Sequence, residues 1–286
     1  MATKIFEQTD SSRLVTTAVF LNQAPDPPKP AFFDLAAEVD RDMVVVGGGA
    51  TAAEVPNGAL LTASYPNENR TAWLASSKDH RVPNPHRLTV FAIGMRINHP
   101  DMPRAALLSN LLYRKATSPP ANHPRVSAAV PDDFTLISGG FRVNWPPGAG
   151  NLATGSFPGD NEATNTWSAR SKDHFIPSPC TIDVWSIAIL TTLLIDHRVF
   201  QVQRRIDRLA NAVAAQHPTA LLEFKGEHVL TGIGAKARVE EPGQLLWRLE
   251  PVARGRVGAT ASSKDHEQPL SSFVTVSALG IKLVPR

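Results

Sequence analysis

Apolar residues recur along this chain in short runs rather than helical stripes. In the first third they fall near 32–39, 43–50, 59–65, 71–77 and 87–97. These runs are alternating or continuous, rich in Val, Ile, Thr, Phe and Trp, and separated by Gly, Pro and Asn. The pattern predicts five β-strands, joined as antiparallel hairpins because long crossovers are not obvious between most of them. RLVTTAVFL, ahead of them, reads as a further strand, and QAPDPPKP as a stiff proline-rich turn.

Two stretches break the pattern. DMPRAALLSNLLYRK, from Asp101, predicts a short helix with Asp101 as cap, Pro103 in the first turn, and Leu107, Leu108, Leu111 and Leu112 as its apolar face. Near 199–215, Val199, Val202, Ile206, Leu209 and Val213 recur at spacings of three and four. Arg198, Arg204, Arg205 and Arg208 lie mostly elsewhere on the wheel, which predicts an amphipathic helix with a basic face. Such a face suits packing on the body, a partner, or a membrane surface.

The runs of the first third return twice. Ser77-Lys78-Asp79-His80, Ser171-Lys172-Asp173-His174 and Ser263-Lys264-Asp265-His266 are spaced 94 and 92 residues apart. Pro83, Pro177 and Pro269 follow the histidines at one distance, and Val90, Val184 and Val276 at another. Upstream, GALLTASYP, GNLATGSFP and GQLLWRLEP match. So do MVVVGGGA, FTLISGGF and HVLTGIGA, and the proline-led KPAFFDLAAEV, HPRVSAAV and HPTALLEF. Self-similarity at a fixed period marks a unit that cannot bury its apolar face alone. The chain therefore reads as one pseudo-threefold domain over residues 1–286, with units near 1–98, 99–190 and 191–286. Its class is mainly β, three antiparallel units with one or two short helices between them.

Composition narrows the function only slightly. A hydrophobic content of 42% and a charged content of 19% describe a globular chain, and 24 prolines suit loops and strand ends. A net charge of +3 without a dense basic block gives no footprint for nucleic acid. The single cysteine, Cys180, excludes an intramolecular disulfide. Its counterparts are His86 and Ser272, so the thiol is not part of the repeat, and an inert thiol is favoured over a nucleophile. No basic start with a long apolar run marks a Sec-type signal peptide, and no run of eighteen apolar residues marks a transmembrane helix. The expected location is the cytoplasm, or outside after release by another route.

Candidate chemistry centres on the repeated motif. Lys78, Asp79 and His80, with Lys172, Asp173, His174, Lys264, Asp265 and His266, are acid–base types. In a strand, lysine and histidine would share one face with the aspartate opposite. In a turn, the aspartate would instead bond local amides, and the lysine would pair with a carboxylate of the next unit. Threefold symmetry could gather His80, His174 and His266 as a zinc-type set. Off-axis placement and the adjoining lysines oppose that, and no metal or cofactor is assigned. Gly47-Gly48-Gly49 lacks both dinucleotide-loop and P-loop spacing and reads as a bulge or close backbone approach near the axis. Trp73, Trp167, Tyr65 and Phe157 lie near loops and could stack on sugar faces, or else pack in the core.

The order GGGA, G-x-L-L-x-x-S-Y-P, W-x-A-x-S-K-D-H and V-x-A-I-G resembles a triple-repeat type of bacterial β-protein, a resemblance that implies no particular activity. The three glycine-bearing β units also resemble β-prism folds, those of vitelline membrane outer layer protein I and the jacalin-type lectins. The disulfides of the former are absent and these units are longer. That likeness implies a β-prism-like arrangement and sugar binding at the level of fold. The expected function is a non-enzymatic binding protein, carbohydrate-binding and lectin-like or the targeting part of a toxin, with a glycan or small-molecule partner. The alternative is an enzyme using the Lys-Asp-His groups in an axial or inter-unit cleft. One deep pocket lined by a single unit's Lys-Asp-His would favour the enzyme, and three equivalent shallow sites would favour binding.

Overall fold

The computed structural model describes residues 2–144, 150–159, 165–238, 243–253 and 257–286. The first unit holds β1 (Thr3–Thr9), β2 (Val15–Gln23), β3 (Ala31–Glu38), β4 (Val44–Thr51), β5 (Leu60–Pro66), β6 (Ala72–Lys78) and β7 (Thr89–Ile97). Helix α1 (Arg104–Ser109) leads into β8 (Leu111–Thr117), β9 (Arg125–Ala129), β10 (Phe134–Asn144), β11 (Leu152–Pro158), β12 (Thr166–Lys172) and β13 (Thr181–Leu190). The third unit holds β14 (Thr192–Ile195), β15 (Arg198–Ala210), β16 (Thr219–Glu223), β17 (Val229–Ala237), β18 (Leu245–Val252), β19 (Gly258–Lys264) and β20 (Val274–Pro285). Strands β3 to β7 lie within two residues of the places their apolar runs predict.

The strands form three antiparallel sheets, ordered β1-β2-β7-β4-β18-β19-β16, β3-β6-β5-β10-β13-β8 and β14-β15-β20-β17-β11-β12-β9. No sheet belongs to one unit. Each unit gives its glycine-bearing strand and that strand's partners to one sheet, and its Ser-Lys strand and partners to another. The junctions are short: Ser64 and Ala63 face Phe141 and Arg142, Gly155 and Ser156 face Lys236 and Ala235, and Thr51 and Ala50 face Arg248 and Leu249. The units are thus interlocked in a cycle, and the main apolar core draws on all three.

Close approach at the centre requires the repeated glycines. The ladders of β4, β10 and β17 slip at the same place, between Val45 and Gly47, Leu136 and Ser138, and Leu230 and Gly232. A Cβ on Gly47 would lie 2.2 Å from the Thr231 carbonyl oxygen, and one on Gly232 would lie 2.6 Å from Ser138 Cβ. These bulges let one strand from each unit meet where side chains would hold them apart.

Trp73 and Trp167 are fully buried, and their indoles donate to Ser64 Oγ at 2.8 Å and Ser156 Oγ at 2.9 Å. Gly48 and Gly139 leave room for the rings, since a Cβ there would come within 2.5 and 2.3 Å of them. The third unit has Ala259, Leu249 and Ile233 at the matching positions, all buried. Losing the indole therefore removes the need for its hydroxyl partner, and larger aliphatic side chains take up volume. Gly48 and Gly139 also lie against backbone, where an added Cβ would come 2.2 Å from the Phe91 and 2.4 Å from the Trp185 carbonyl oxygen. No cavity need result from the divergence of this unit.

Two helix expectations need correction. The segment near 199–215 is mostly strand β15, paired with β20 from Phe200 to Ala210. Phe200, Val202 and Ile206 are buried at even spacing, whereas Val199, Leu209 and Val213 are exposed. β-Branched residues with a partner strand satisfy period two here, and the three-and-four spacing was coincidental. The basic amphipathic face inferred for membrane contact therefore does not exist. Between the first two units only Arg104–Ser109 is helical, and its N-terminus has no side-chain cap, so Asp101 does not serve there. Leu111 and Leu112 instead pair with Ile189 and Ala188. Among the described residues, no helix is long and apolar enough to cross a membrane.

Candidate functional sites

The Ser-Lys-Asp-His strands end at the lysine, so the alternation that would set aspartate opposite histidine stops there. The aspartates serve the following loops. Asp79 Oδ2 accepts from the Asn84 amide at 2.8 Å, Asp173 Oδ2 from Ser178 at 3.0 Å and Asp265 Oδ2 from Leu270 at 2.9 Å. Three equivalent carboxylates thus make the local backbone bond expected of a turn.

The lysines are buried too. Lys264 Nζ donates across units to the carbonyls of Ala53 at 2.7 Å and Glu54 at 3.1 Å, rather than to a carboxylate. Burial pushes the pKa of Lys264 down to about 7 and that of Lys78 to about 8, while carbonyl donation favours the ammonium form. Lys172 is equally buried.

The serines of the motif are buried hydrogen-bond donors with different acceptors in each unit. Ser171 Oγ meets Asn151 Oδ1 at 2.9 Å, and Ser263 Oγ meets Gln244 Oε1 at 3.0 Å. The first unit has Ala59 in that place, and Ser77 Oγ turns to His86 Nε2 at 2.7 Å. His86 Nδ1 lies 2.8 Å from the Asn84 carbonyl and 3.7 Å from Asp79 Oδ1. The order Ser77, His86, Asp79 looks like a hydrolase triad. However, Ser77 has no exposed surface, and two amide side chains do the imidazole's work elsewhere, so the contact is a packing solution.

The histidines do meet, contrary to the off-axis expectation. Their ring centroids lie 4.9, 5.2 and 5.9 Å apart. His80 Nε2 contacts the His174 carbonyl oxygen at 3.0 Å, His174 Nε2 that of His266 at 2.9 Å, and His266 Nε2 that of His80 at 2.6 Å. A carbonyl only accepts, so each Nε2 carries the proton and is committed to its neighbour. The ring is a cyclic clasp between units, and its geometry does not suit the zinc-type set.

The stacking candidates divide. Trp73 and Trp167 are core residues with no open face, which corrects their reading as ligand contacts. Phe157 is mostly buried between the Arg170 guanidinium at 5.2 Å and the Lys236 ammonium at 5.0 Å. Tyr65 stacks on Trp185 at 4.7 Å on the outer face of the second sheet, and its hydroxyl bonds Asp34, which lines a pocket.

That pocket, of about 690 Å³, straddles the junction of β5 with β10. The two strands pair only at Phe141–Ser64 and Arg142–Ala63, and Thr62, Val143 and Asn144 line the space beyond. Phe33 and Asp34 enter it from a bulge in β3, where the register slips between Phe32 and Leu35 and Asp34 is left-handed at φ 51°. The Asp34 amide donates to Ser76 Oγ at 2.9 Å, which also lies 3.2 Å from Asp34 Oδ1. Tyr65 Oη donates to the same oxygen at 2.9 Å, and Arg142 Nη1 donates to Tyr65 Oη at 3.2 Å. Asp34 Oδ2 stands 3.9 Å from Arg142 Nη2, and Phe33 is 67% exposed at the lip. Burial and the Asp34 carboxylate both raise the Tyr65 pKa, so the phenol remains a donor at neutral pH. Cys180 also lines this space, but burial raises its thiol to about 11, which keeps it protonated.

Sequence reasoning missed Asp34 and Arg142. A signal was present: KPAFFDLAAEV is longer than HPRVSAAV and HPTALLEF, and the extra length becomes the bulge.

No protein-family model matches the chain, and no curated protein matches it. Fold and sites define it as a class, a mainly β protein of three antiparallel sheets with an inter-unit pocket on one of them.

Proposed function

We propose that the protein is a non-enzymatic binding protein whose pocket between β3, β5 and β10 takes a carbohydrate. The observation that carries this reading is the Asp34–Arg142 pair at the pocket. One carboxylate oxygen is held by Tyr65 and Ser76, while the other stands beside a guanidinium. An acceptor next to planar donors matches the neighbouring hydroxyls of a sugar, and an exposed aromatic at the lip offers a face for its C–H groups. Three sheets around a shared core are consistent with a β-prism-like arrangement, which hosts sugar binding elsewhere but does not fix it.

Against the enzyme alternative, the Lys-Asp-His groups are engaged in structural bonds and none of them lines this pocket. A targeting role within a toxin would use the same pocket. The test is a broad glycan panel followed by calorimetric titration of the parent, Asp34→Asn and Arg142→Ala. Binding that both substitutions weaken tenfold or more is expected. Silence across the panel, or binding indifferent to both substitutions, would overturn the reading.

A further inference from the structure

Six of the nine histidines gather at one end of the molecule. His80, His174 and His266 form the buried ring. Outside it His86, His123 and His217 approach Asp79, Asp173 and Asp265 at 3.7, 3.3 and 3.5 Å. We propose that the axial ring is an acid-sensitive latch: in mildly acidic solution its imidazoles take up protons, and the three Ser-Lys-Asp-His turns part while the sheets remain folded.

The geometry supplies the reason. Each Nε2 already carries a proton for its carbonyl, so an added proton must go to Nδ1. His266 Nδ1 is buried without a hydrogen-bond partner. The nearest carboxylate oxygen, Glu267 Oε2, is 3.9 Å away and lies 2.5 Å from Arg81 Nε. Asp79 Oδ1 is buried without a hydrogen-bond partner and stands 3.7 Å from His86 Nδ1, outside the ring. Lys78, Lys172 and Lys264 lie buried just before it, and the three aspartates are turned to loop amides and the outer histidines. Two imidazoliums at these ring separations would also repel each other in a poorly hydrated site.

The turns are poised to move. Arg81, Phe175 and Glu267, which follow the three histidines, are held at φ 58°, 63° and 58°. The amides of Val82, Ile176 and Gln268 close each turn onto the same carbonyl that accepts the neighbouring imidazole. Non-glycine residues avoid this conformation unless their surroundings impose it.

The sign follows from the protons. Burial first, then His174 and His80, hold the His266 pKa down to about 4 from 6.5. The open form therefore binds protons more readily than the closed one. The latch is tight above about pH 6.5 and weakens as pH falls towards 4. His86, outside the ring, is likewise held below its usual range by burial, so the axial ring must be tested by its own substitutions.

The experiment is hydrogen–deuterium exchange of the full chain at pH 7 and pH 5, corrected for intrinsic rates. The parent is compared with His266→Gln and with the triple variant His80→Gln/His174→Gln/His266→Gln. Glutamine keeps a donor for the carbonyl but does not titrate. In the parent, residues 78–84, 172–178 and 264–270 should exchange on the order of 20-fold faster at pH 5, the linkage expected of one such imidazole. The acceleration should be absent from the sheet interiors. Most of it should vanish in His266→Gln as well as in the triple variant, and His266→Gln decides the matter if the triple variant does not fold. Equal acceleration in parent and variants, acceleration spread evenly through the sheets, or none in the parent would overturn the latch.

Discussion

At the axis the three units place the same four side chains, whereas on the outer faces of the sheets they place different ones. The positions of Tyr65, Arg142 and Ser76 beside the pocket correspond to Phe157, Lys236 and Arg170 on the third sheet. On the first sheet they correspond to Glu250, Thr51 and Ser262. There Glu250 accepts from Arg248 at 2.8 Å and from Thr51 at 3.3 Å, an internal ion pair with no aromatic ring. The difference has a physical cause. Each axial histidine is donor to one neighbour and acceptor from another, so a change in one unit breaks a bond of the next. Outer residues bond mainly to their sheet neighbours and can diverge singly. Repetition here marks mutual constraint, and divergence marks where one sheet has acquired a pocket the others do not share in kind.

The largest effect should come from the core slot behind this contrast. Trp167→Ala should cost about 3–5 kcal/mol, the usual range for emptying a buried aromatic site. Filling the slot with the third unit's leucine, Trp167→Ala with Ser156→Leu, should recover part of that in urea denaturation, with Gly139 kept because a Cβ there would lie 2.4 Å from the Trp185 carbonyl oxygen. A double variant no more stable than Trp167→Ala would show that the third unit's packing is not a self-contained exchange.

Next in size are the aspartates. Asp265→Ala should lose about 1–3 kcal/mol because the buried carboxylate's bond to the Leu270 amide is lost. Asp173→Ala should fall in the same range. Thermal melts superimposable on the parent's would remove the structural role of the motif and return it to candidate chemistry.

Acid should sharpen the comparison further. His266 is depressed to about 4 in the folded protein, so its contribution is complete above about pH 6.5 and is lost as pH falls towards 4. The loss should be of order 2 kcal/mol. Denaturation midpoints of His266→Gln should be flatter across that window, and parallel pH profiles would contradict the assignment.

The smallest effect on stability belongs to the pocket. Arg142→Ala should change stability by under about 0.5 kcal/mol, as surface substitutions do, while removing ligand binding. Destabilisation of several kcal/mol would make Arg142 a structural clamp across the β5–β10 junction.

Much of this molecule was legible before any coordinates. The apolar runs located β3 to β7 because strand formation depends on local alternation and punctuation. The fixed spacing of Ser-Lys-Asp-His revealed three related units, and glycines at one place in each pointed to close backbone approach. Tertiary structure alone decided the rest. Periodicity does not say which strand a given edge will meet, so the sharing of every sheet between two units was invisible. Residues 199–210 satisfied a helical spacing as well as an alternating one, and only the partner strand β20 chose between them. His80, His174 and His266 are more than ninety residues apart, and their ring depends on how three turns converge. The pocket joins Asp34 to Arg142 across two units. Its chemistry arises from a short junction and a bulge, features of pairing rather than of either stretch of chain alone.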